Sequence, residues 1–318
     1  MDLRQITYFM WVFEQRSFTK AAQKAGVVQP ALSIQVKRLE EELGVSLFAR
    51  NSRGVEPTSF GERFYTLCEP ILRDVAMARS KMLELLKPDV VMGNLRCGFP
   101  PTFFKAVVGK VVAQFTRENP HMDLHLREGY GRILTQWVSD GVLDFAVGAW
   151  STDMPGLNVS MVYEEEVVLI SGRALSAPTF SMCDFDALSG LPLILPSAAQ
   201  ILAPPLEQLI STGRLRPASV MRVDSYLGVV EIVRQAGLAG FVPISGVTAD
   251  MLGDNLHVYR LPNQMLGLRW HLVHRAGEEL HSGAVRFIAM LERALNDDRA
   301  RFLEMAALHH PAKSRRTR

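Results

Sequence analysis

The sequence reads Ser17-Phe18-Thr19-Lys20-Ala21-Ala22-Gln23-Lys24-Ala25-Gly26 and, after Val27 and Val28, Gln29-Pro30-Ala31-Leu32-Ser33-Ile34-Gln35-Val36-Lys37-Arg38-Leu39-Glu40. This spacing predicts two short helices set at an angle. Thr19 caps the first, whose small inner residues are Ala21, Ala22 and Ala25, and Gly26 supplies the turn. Pro30 stands in the first turn of the second helix, where proline costs no hydrogen bond. Leu32, Val36, Leu39 and Leu43 then form a stripe that must face inward. At about 100° per residue that stripe turns Pro30, Ile34, Lys37 and Arg38 outward, with Ala31 and Ser33 on the flanks. Gln29 projects from the amino-terminal end. An end so nearly free of acids can enter the major groove of DNA.

Working outward, Leu3, Ile6, Met10 and Phe13 mark the inner face of an earlier helix, so the amino-terminal unit is three-helical. Past Gly44 the texture becomes short and mixed, and two strands around Ser52-Arg53-Gly54 are expected to form a wing. Arg50 and Arg53 would lie on it, near phosphates or the minor groove. Within the helix, Gln29 can pair with adenine, Ser33 with a base edge or phosphate, and Ile34 with a thymine methyl. Lys37 and Arg38 would neutralise phosphates.

These residues carry a resemblance. Ser-Phe-Thr-x-Ala-Ala, Gln-Pro-Ala-Leu-Ser-x-Gln-Val-x-x-Leu-Glu, Leu43-Gly44-Val45-x-Leu47-Phe48-x-Arg50 and Pro57-Thr58-x-x-Gly61 run in register over the first 60 or so residues. The set is similar to the LysR-type transcriptional regulators. The resemblance implies a winged helix-turn-helix over residues 1–58, with the helix-turn-helix itself from about Phe18 to Lys37. It also implies double-stranded DNA as partner, a roughly palindromic operator, a tetramer built from homodimers, and RNA polymerase as a further partner. Many relatives carry a polar or basic residue where Ile34 stands.

Residues 59–92 read as a linker. Ser59-x-x-Glu62 is a capping box, with Thr58 as a rival cap. From there Phe60, Phe64, Leu67, Ile71, Val75, Ala78, Met82 and Leu85 recur at alternating three and four residues, a seam of about 40 Å at 1.5 Å per residue. One seam on one chain calls for a second copy. Pro70 should kink this helix, and Lys87-Pro88-Asp89 ends it and begins a hinge.

From Gly93 strands and helices alternate: strands at 94–98, 123–127, 143–148, 192–195, 220–224 and 239–242, helices at 103–115, 133–139, 203–211 and 227–235. A strand at 268–274 returns to the first sheet and a helix at 284–295 closes the domain. The pattern is α/β, with a mostly parallel sheet covered on both faces. Gly98-Phe99-Pro100-Pro101-Thr102, Leu143-Asp144-Phe145-Ala146, Pro192-Leu193-Ile194-Leu195-Pro196-Ser197 and Gly240-Phe241-Val242-Pro243 echo the effector domain of the same family. That domain, 93–300 here, is two-lobed and resembles periplasmic binding proteins. Ligands of such sheets lie beyond the carboxyl ends of the strands. Thr102, Ser197 and Ser225 each follow a strand and open a helix, where free N–H groups and a hydroxyl can hold an anionic metabolite; each could equally be only a helix cap. The family's pocket is built at matching positions, and Gly131 stands where many relatives have Ser or Thr, implying a bulkier or less polar ligand. Trp150 and Tyr226 fit either pocket or core. Residues 301–318 read as a basic, disordered tail.

The bulk numbers set bounds. At 318 residues and 48% apolar content the chain can fill two or three cores. Net charge is +2, so nucleic-acid contact must come from local clustering. The start lacks an export signal and no apolar run suits a membrane span, which reads as cytoplasmic. Cys68, Cys97 and Cys183 are odd in number and widely spaced; buried, inert thiols are the simpler reading, and a redox pair the sharper one. His121 and His125 share a strand face with no acid or Cys cluster beside them, Glu164-Glu165-Glu166 reads as the alternating edge of a strand, and no nucleotide loop, metal set or Gly-x-Ser-x-Gly elbow is present. No cofactor or catalytic role follows. A ligand-responsive DNA-binding regulator is therefore the leading reading. The alternatives are an architectural DNA-binding oligomer with a ligand-blind carboxyl domain, and an enzyme fused to a DNA-binding head.

Overall fold

The computed structural model describes residues 1–51, 54–86, 91–150, 154–197, 200–248, 256–262 and 266–308, and it divides into two units, 1–89 and 90–318.

The first unit begins with α1 (Leu3–Gln15), α2 (Phe18–Ala25) and α3 (Gln29–Leu43). Ile6, Phe9, Met10 and Val12 of α1 face inward, while Leu3 at its start is exposed. Phe9 centres the core, its ring 5.3 Å from Phe48 and 5.0 Å from Phe64. The cap of α2 is Ser17 and not Thr19: its hydroxyl accepts from the Lys20 N–H at 3.3 Å. Phe18 packs against Phe48 at 5.8 Å, which fixes residue 18 inside the helix and leaves Ser17 as the flanking residue. Gly26 ends α2 at φ 64°, a left-handed position that favours glycine. In α3, Leu32, Val36 and Leu39 are buried, but Leu43 is 37% exposed. The last turn runs past the core, and Glu40 turns the chain instead, accepting the N–H groups of Leu47 (2.7 Å) and Phe48 (3.1 Å).

Strands β1 (Phe48–Asn51) and β2 (Gly54–Pro57) pair antiparallel to make the wing. Helix α4 (Ser59–Leu86) follows and runs through Pro70. Thr58, not Ser59, caps it: its hydroxyl accepts from the Gly61 N–H at 3.1 Å and donates to the Ser46 carbonyl at 2.7 Å. The predicted seam divides between two faces. Phe64 turns inward with Cys68 and Leu72, whereas Phe60, Leu67, Ile71, Val75 and Met82 are exposed.

The second unit is one sheet in the order β4-β3-β5-β11-β6-β9-β7-β8, with β10 also on β6. Its strands are β3 (Gly93–Phe99), β4 (Met122–Glu128), β5 (Phe145–Gly148), β6 (Leu157–Ser171), β7 (Pro192–Leu195), β8 (Ser219–Arg222), β9 (Ala239–Pro243), β10 (His257–Arg260) and β11 (Gly267–Arg275). Its helices are α5 (Pro101–Phe103), continued by a π-helical stretch (Phe104–Val108) into α6 (Gly109–Glu118), then α7 (Gly131–Ser139), α8 (Ala203–Ser211), α9 (Tyr226–Ala236) and α10 (Ser282–Leu308).

The outer strands are parallel, β4 and β5 on β3, β8 and β9 on β7. The middle is antiparallel, because β6 and β11 carry the chain between the lobes, so "mostly parallel" holds only for the outer strands. Glu164-Glu165-Glu166 lies in strand β6 as expected but does not alternate: Glu164 is exposed, whereas Glu165 and Glu166 are both buried. The closing helix α10 runs to Leu308, with Phe302 and Ala306 buried, so the stretch 301–308 is helix and not tail. Residues 309–318 lie outside the described residues.

Gly61 has an ordinary backbone but no room: a Cβ there would stand 2.2 Å from the Leu47 carbonyl oxygen. Gly61→Ala should therefore destabilise the amino-terminal unit by about 1–3 kcal/mol, although alanine favours helix. Urea unfolding followed by circular dichroism measures it, and an unchanged or raised midpoint would rule out the close approach.

Candidate DNA-reading surface and effector cleft

On α3, burial of Leu32, Val36 and Leu39 leaves the opposite side open. Gln29, Pro30, Ala31, Ile34, Lys37 and Arg38 are exposed and Ser33 is half-buried. Ile34 is 52% exposed, high for an isoleucine on a folded domain. No acid lies in the first turn, and Lys37 has Glu41 at 3.5 Å, an exposed pair of little energetic weight. Val28, which opens α3 without a side-chain cap, is 70% exposed beside Gln29. Arg50 belongs to β1, where its backbone pairs with Val55. Arg53 lies outside the described residues.

In the second unit a cavity of about 310 Å³ opens between the lobes. It lies beyond the carboxyl ends of β3, β4 and β5, represented by Pro100, Gly129 and Gly148, with Gln200, Ile201 and Tyr226 opposite and Leu268 and Trp270 from β11. Of the four residues singled out from sequence, Gly131 lines the cavity directly. Thr102 lies just outside, fully buried, its hydroxyl without a hydrogen-bond partner among the described residues. Ser225 caps α9, accepting the Gly228 N–H at 3.1 Å. Ser197 donates to the Asp224 carboxylate, and Gln200 donates to the Asp224 carbonyl at 3.0 Å. Ser197 and Ser225 thus have internal partners.

Trp150 and Tyr226 separate. Trp150 packs with Leu134, Val138 and Val273 in a satellite core, whereas Tyr226 is a wall of the cavity. The Tyr226 hydroxyl is buried and unpartnered among the described residues, and burial pushes its pKa up. Tyr130 reaches toward Ser225 and Tyr226 from the other lobe, its pKa also raised by burial. Arg132 is the one charged residue among the described residues that line the cavity, and it is exposed. Sequence reasoning missed Tyr130, Gln200, Ile201 and Trp270. The aromatic residues beside Gly131 and beside Ser225 were the available signals, and nothing local marks Trp270.

Behind Trp270 lies Glu165, 2% exposed, whose carboxylate accepts the indole N–H of Trp270 and both the N–H and the hydroxyl of Ser245 at 2.9 Å. Burial pushes its pKa up to about 7 against the pull of those donors.

Comparison with known proteins bears on the family and the fold. Residues 3–62 match the family described as "Bacterial regulatory helix-turn-helix protein, lysR family", and residues 89–296 match the "LysR substrate binding domain". The nitrogen assimilation regulatory protein nac of Escherichia coli is 26% identical over 293 residues, covering 91% of this chain and 94% of its own. The solved OxyR C206 mutant of Corynebacterium glutamicum superposes with a TM-score of 0.69 at 24% identity, covering 96% of this chain and 95% of that one. The structure of CbnR complexed with target DNA gives a TM-score of 0.53 at 21% identity, covering 93% of this chain and all of that one. The chain belongs to the LysR family of transcriptional regulators, with an amino-terminal DNA-binding helix-turn-helix and a carboxyl-terminal domain of the effector-binding type.

Proposed function

We propose that this regulator reads a roughly palindromic operator through α3 as a dimer, and as a tetramer over two such sites, and that a small effector in the interlobe cavity changes the geometry of the bound assembly. The observation that carries the DNA assignment is the outward face of α3: apolar, amide and basic residues standing exposed with no acid in the first turn. Gln29 and Ser33 read base edges, Ile34 meets a thymine methyl, Pro30 and Ala31 let the helix approach closely, and Lys37, Arg38, Arg50 and Arg53 take phosphates or the minor groove. The exposed stripe of α4 supports the dimer, since Phe60, Leu67, Ile71, Val75 and Met82 need an apolar partner surface. The chain acts in the cytoplasm, where RNA polymerase is a further partner, and it is not an enzyme.

The effector is small and carries acceptor oxygens, in keeping with an anionic metabolite. Supporting this, the cavity of about 310 Å³ has aromatic walls, the Tyr226 hydroxyl on its wall lacks a partner among the described residues, and Arg132 is the charge among the described lining residues. Gly131 lines the cavity, and Gln200 and Tyr226, which lie close in sequence to Ser197 and Ser225, face it. The sensing is of a bound molecule and not of oxidants. Cys68, Cys97 and Cys183 are all buried and their pKa values are raised, that of Cys68 to about 11.

Selection of bound duplexes from random sequence tests the DNA assignment. Gln29→Ala should relax preference at one position by about 1–3 kcal/mol. Arg38→Ala should weaken binding to all sequences alike and reduce the salt slope by about 1; if it changes the preferred bases, the roles are wrongly divided. For the thiols, a colorimetric disulfide reagent at pH 8 should react with Cys68 of the native chain roughly 100-fold more slowly than with Cys68 of the urea-unfolded chain, as a pKa near 11 leaves that much less thiolate, and all three native thiols should react more slowly than when unfolded. A fast native thiol would reopen the redox reading.

A further inference from the structure

β6 is the strand that both lobes share, and Glu165 sits where it changes partner. Glu165 and Glu166 still pair with Leu268 and Gly267 of β11, while the next residue, Val167, already pairs with Pro243 of β9. At that crossing the Glu165 carboxylate is held from both lobes. Ser245, in the single 3-10 turn after β9, donates twice at 2.9 Å, and Trp270 of β11 donates through its indole. The Trp270 ring is itself a wall of the cavity and packs on Phe103 at 4.7 Å. Phe103 follows Thr102, whose methyl lies 3.6 Å from where a Cβ on Gly246 would stand, beside Ser245. The flanking glutamates are used differently: Glu166 takes Arg260 through two bonds of 3.2 Å, and Glu164 takes Arg269 at 3.1 Å. Glu165 has no ion pair among the described residues, so its only compensation for burial is those three donors.

A carboxylate in this position costs stability that a packed apolar side chain would not. Its placement, however, links three things that must move together if the lobes close: the shared strand, the turn leading out of the second lobe, and the cavity wall. We propose that Glu165 is a positioning residue of the effector site, fixing Trp270 against the cavity and Ser245 at the hinge, so that filling the cavity and rotating the lobes are one coupled change. This rests on reading the cavity as the effector site. The titratable groups that face Glu165 are Asp298 from α10, Tyr226 from α9, and Tyr163 on its own strand, with Glu166 next to it held by Arg260.

The test uses the full chain and tryptophan emission between pH 5 and 9. The difference between wild type and Trp270→Phe isolates Trp270 among the four tryptophans. A transition with its midpoint near 7 is expected. It should be lost in Glu165→Gln, and its midpoint should rise by about one unit in Ser245→Ala, since removing donors to the anion favours the acid. A transition that survives Glu165→Gln, or a midpoint that Ser245→Ala leaves in place, overturns the proposal. Occupancy is imitated without knowing the effector by labelling Ile201→Cys, an exposed position on the cavity wall, with N-ethylmaleimide. The label should move the Trp270 midpoint by at least half a unit, and should not alter the emission of the Glu165→Gln protein. A label that leaves the midpoint unmoved refutes the coupling. The reading of the cavity as the effector site stands or falls separately, by whether small anions raise the melting temperature of wild type and lose that effect in Tyr226→Ala.

Discussion

Strand β6 has to serve two half-sheets at once, and the second unit is arranged around that demand. Nine of its first ten residues pair with β11, Val162 being skipped at a register shift, and its last five pair with β9, four of them also with β10. A strand 15 residues long spans roughly 50 Å at 3.3 Å per residue, so one end cannot stay in the same core as the other. The parallel strands on each side must then point their carboxyl ends at the crossing, because each is fed by a helix that packs on its own half. The cavity is the consequence. It forms where β3, β4 and β5 end on one side, and the segments that carry Gln200 and Tyr226 approach from the other.

The amino-terminal unit is governed by a different constraint, a small core that must position a helix for a job done on its outer face. Phe9 at the centre touches the wing through Phe48 and α4 through Phe64. Glu40 fixes the start of the wing to the end of α3 by two charge-assisted bonds. α3 therefore cannot turn about its axis without breaking the wing contact, and its exposed residues are held in a fixed order relative to the strands beside them.

Most of this was legible because it depends on local rules. The stripe of Leu32, Val36 and Leu39, the turn at Gly26 and the alternation of strands and helices after Gly93 are set by periodicity and backbone preference. What escaped detection depends on partners far away in sequence. β6 did not read as a central strand because its outer half alternates while its inner half is buried on both faces, and three consecutive glutamates interrupt it. Two of those acids are tolerable inside only because Arg260, Ser245 and Trp270 arrive from 80 to 105 residues away. The cap assignments failed more narrowly. At both Ser17–Thr19 and Thr58–Ser59 two competent residues stood close together, and packing of Phe18 and the bond from Thr58 to Ser46 decided between them. At the cavity, the expected strand-to-helix junctions hold for Thr102, which follows β3 into α5, and for Ser225, which caps α9, but Ser197 stands six residues before α8, and Gly131 is marked by the resemblance alone. Those junctions could not say that the Ser197 and Ser225 hydroxyls are already engaged and that aromatic rings make the walls.

The two units are incomplete in opposite ways, and that contrast bears on what each one meets. On α4 the unmet need is apolar: Phe60, Leu67, Ile71, Val75 and Met82 leave water-exposed surface on one face of a helix whose other face is already packed. Only extended apolar surface meets that need, and a second α4 offers it at matching spacing. In the cavity the unmet need is polar: the hydroxyl of Tyr226, a wall residue, is cut off from solvent without a partner among the described residues. Such a group is costly to leave unpaired and is relieved by a few well-placed acceptor atoms. A macromolecular surface cannot enter a cavity of about 310 Å³, and a small ligand cannot cover a helix face of about 23 residues. The kind of partner at each place follows from which sort of atom is left without company and how much room surrounds it.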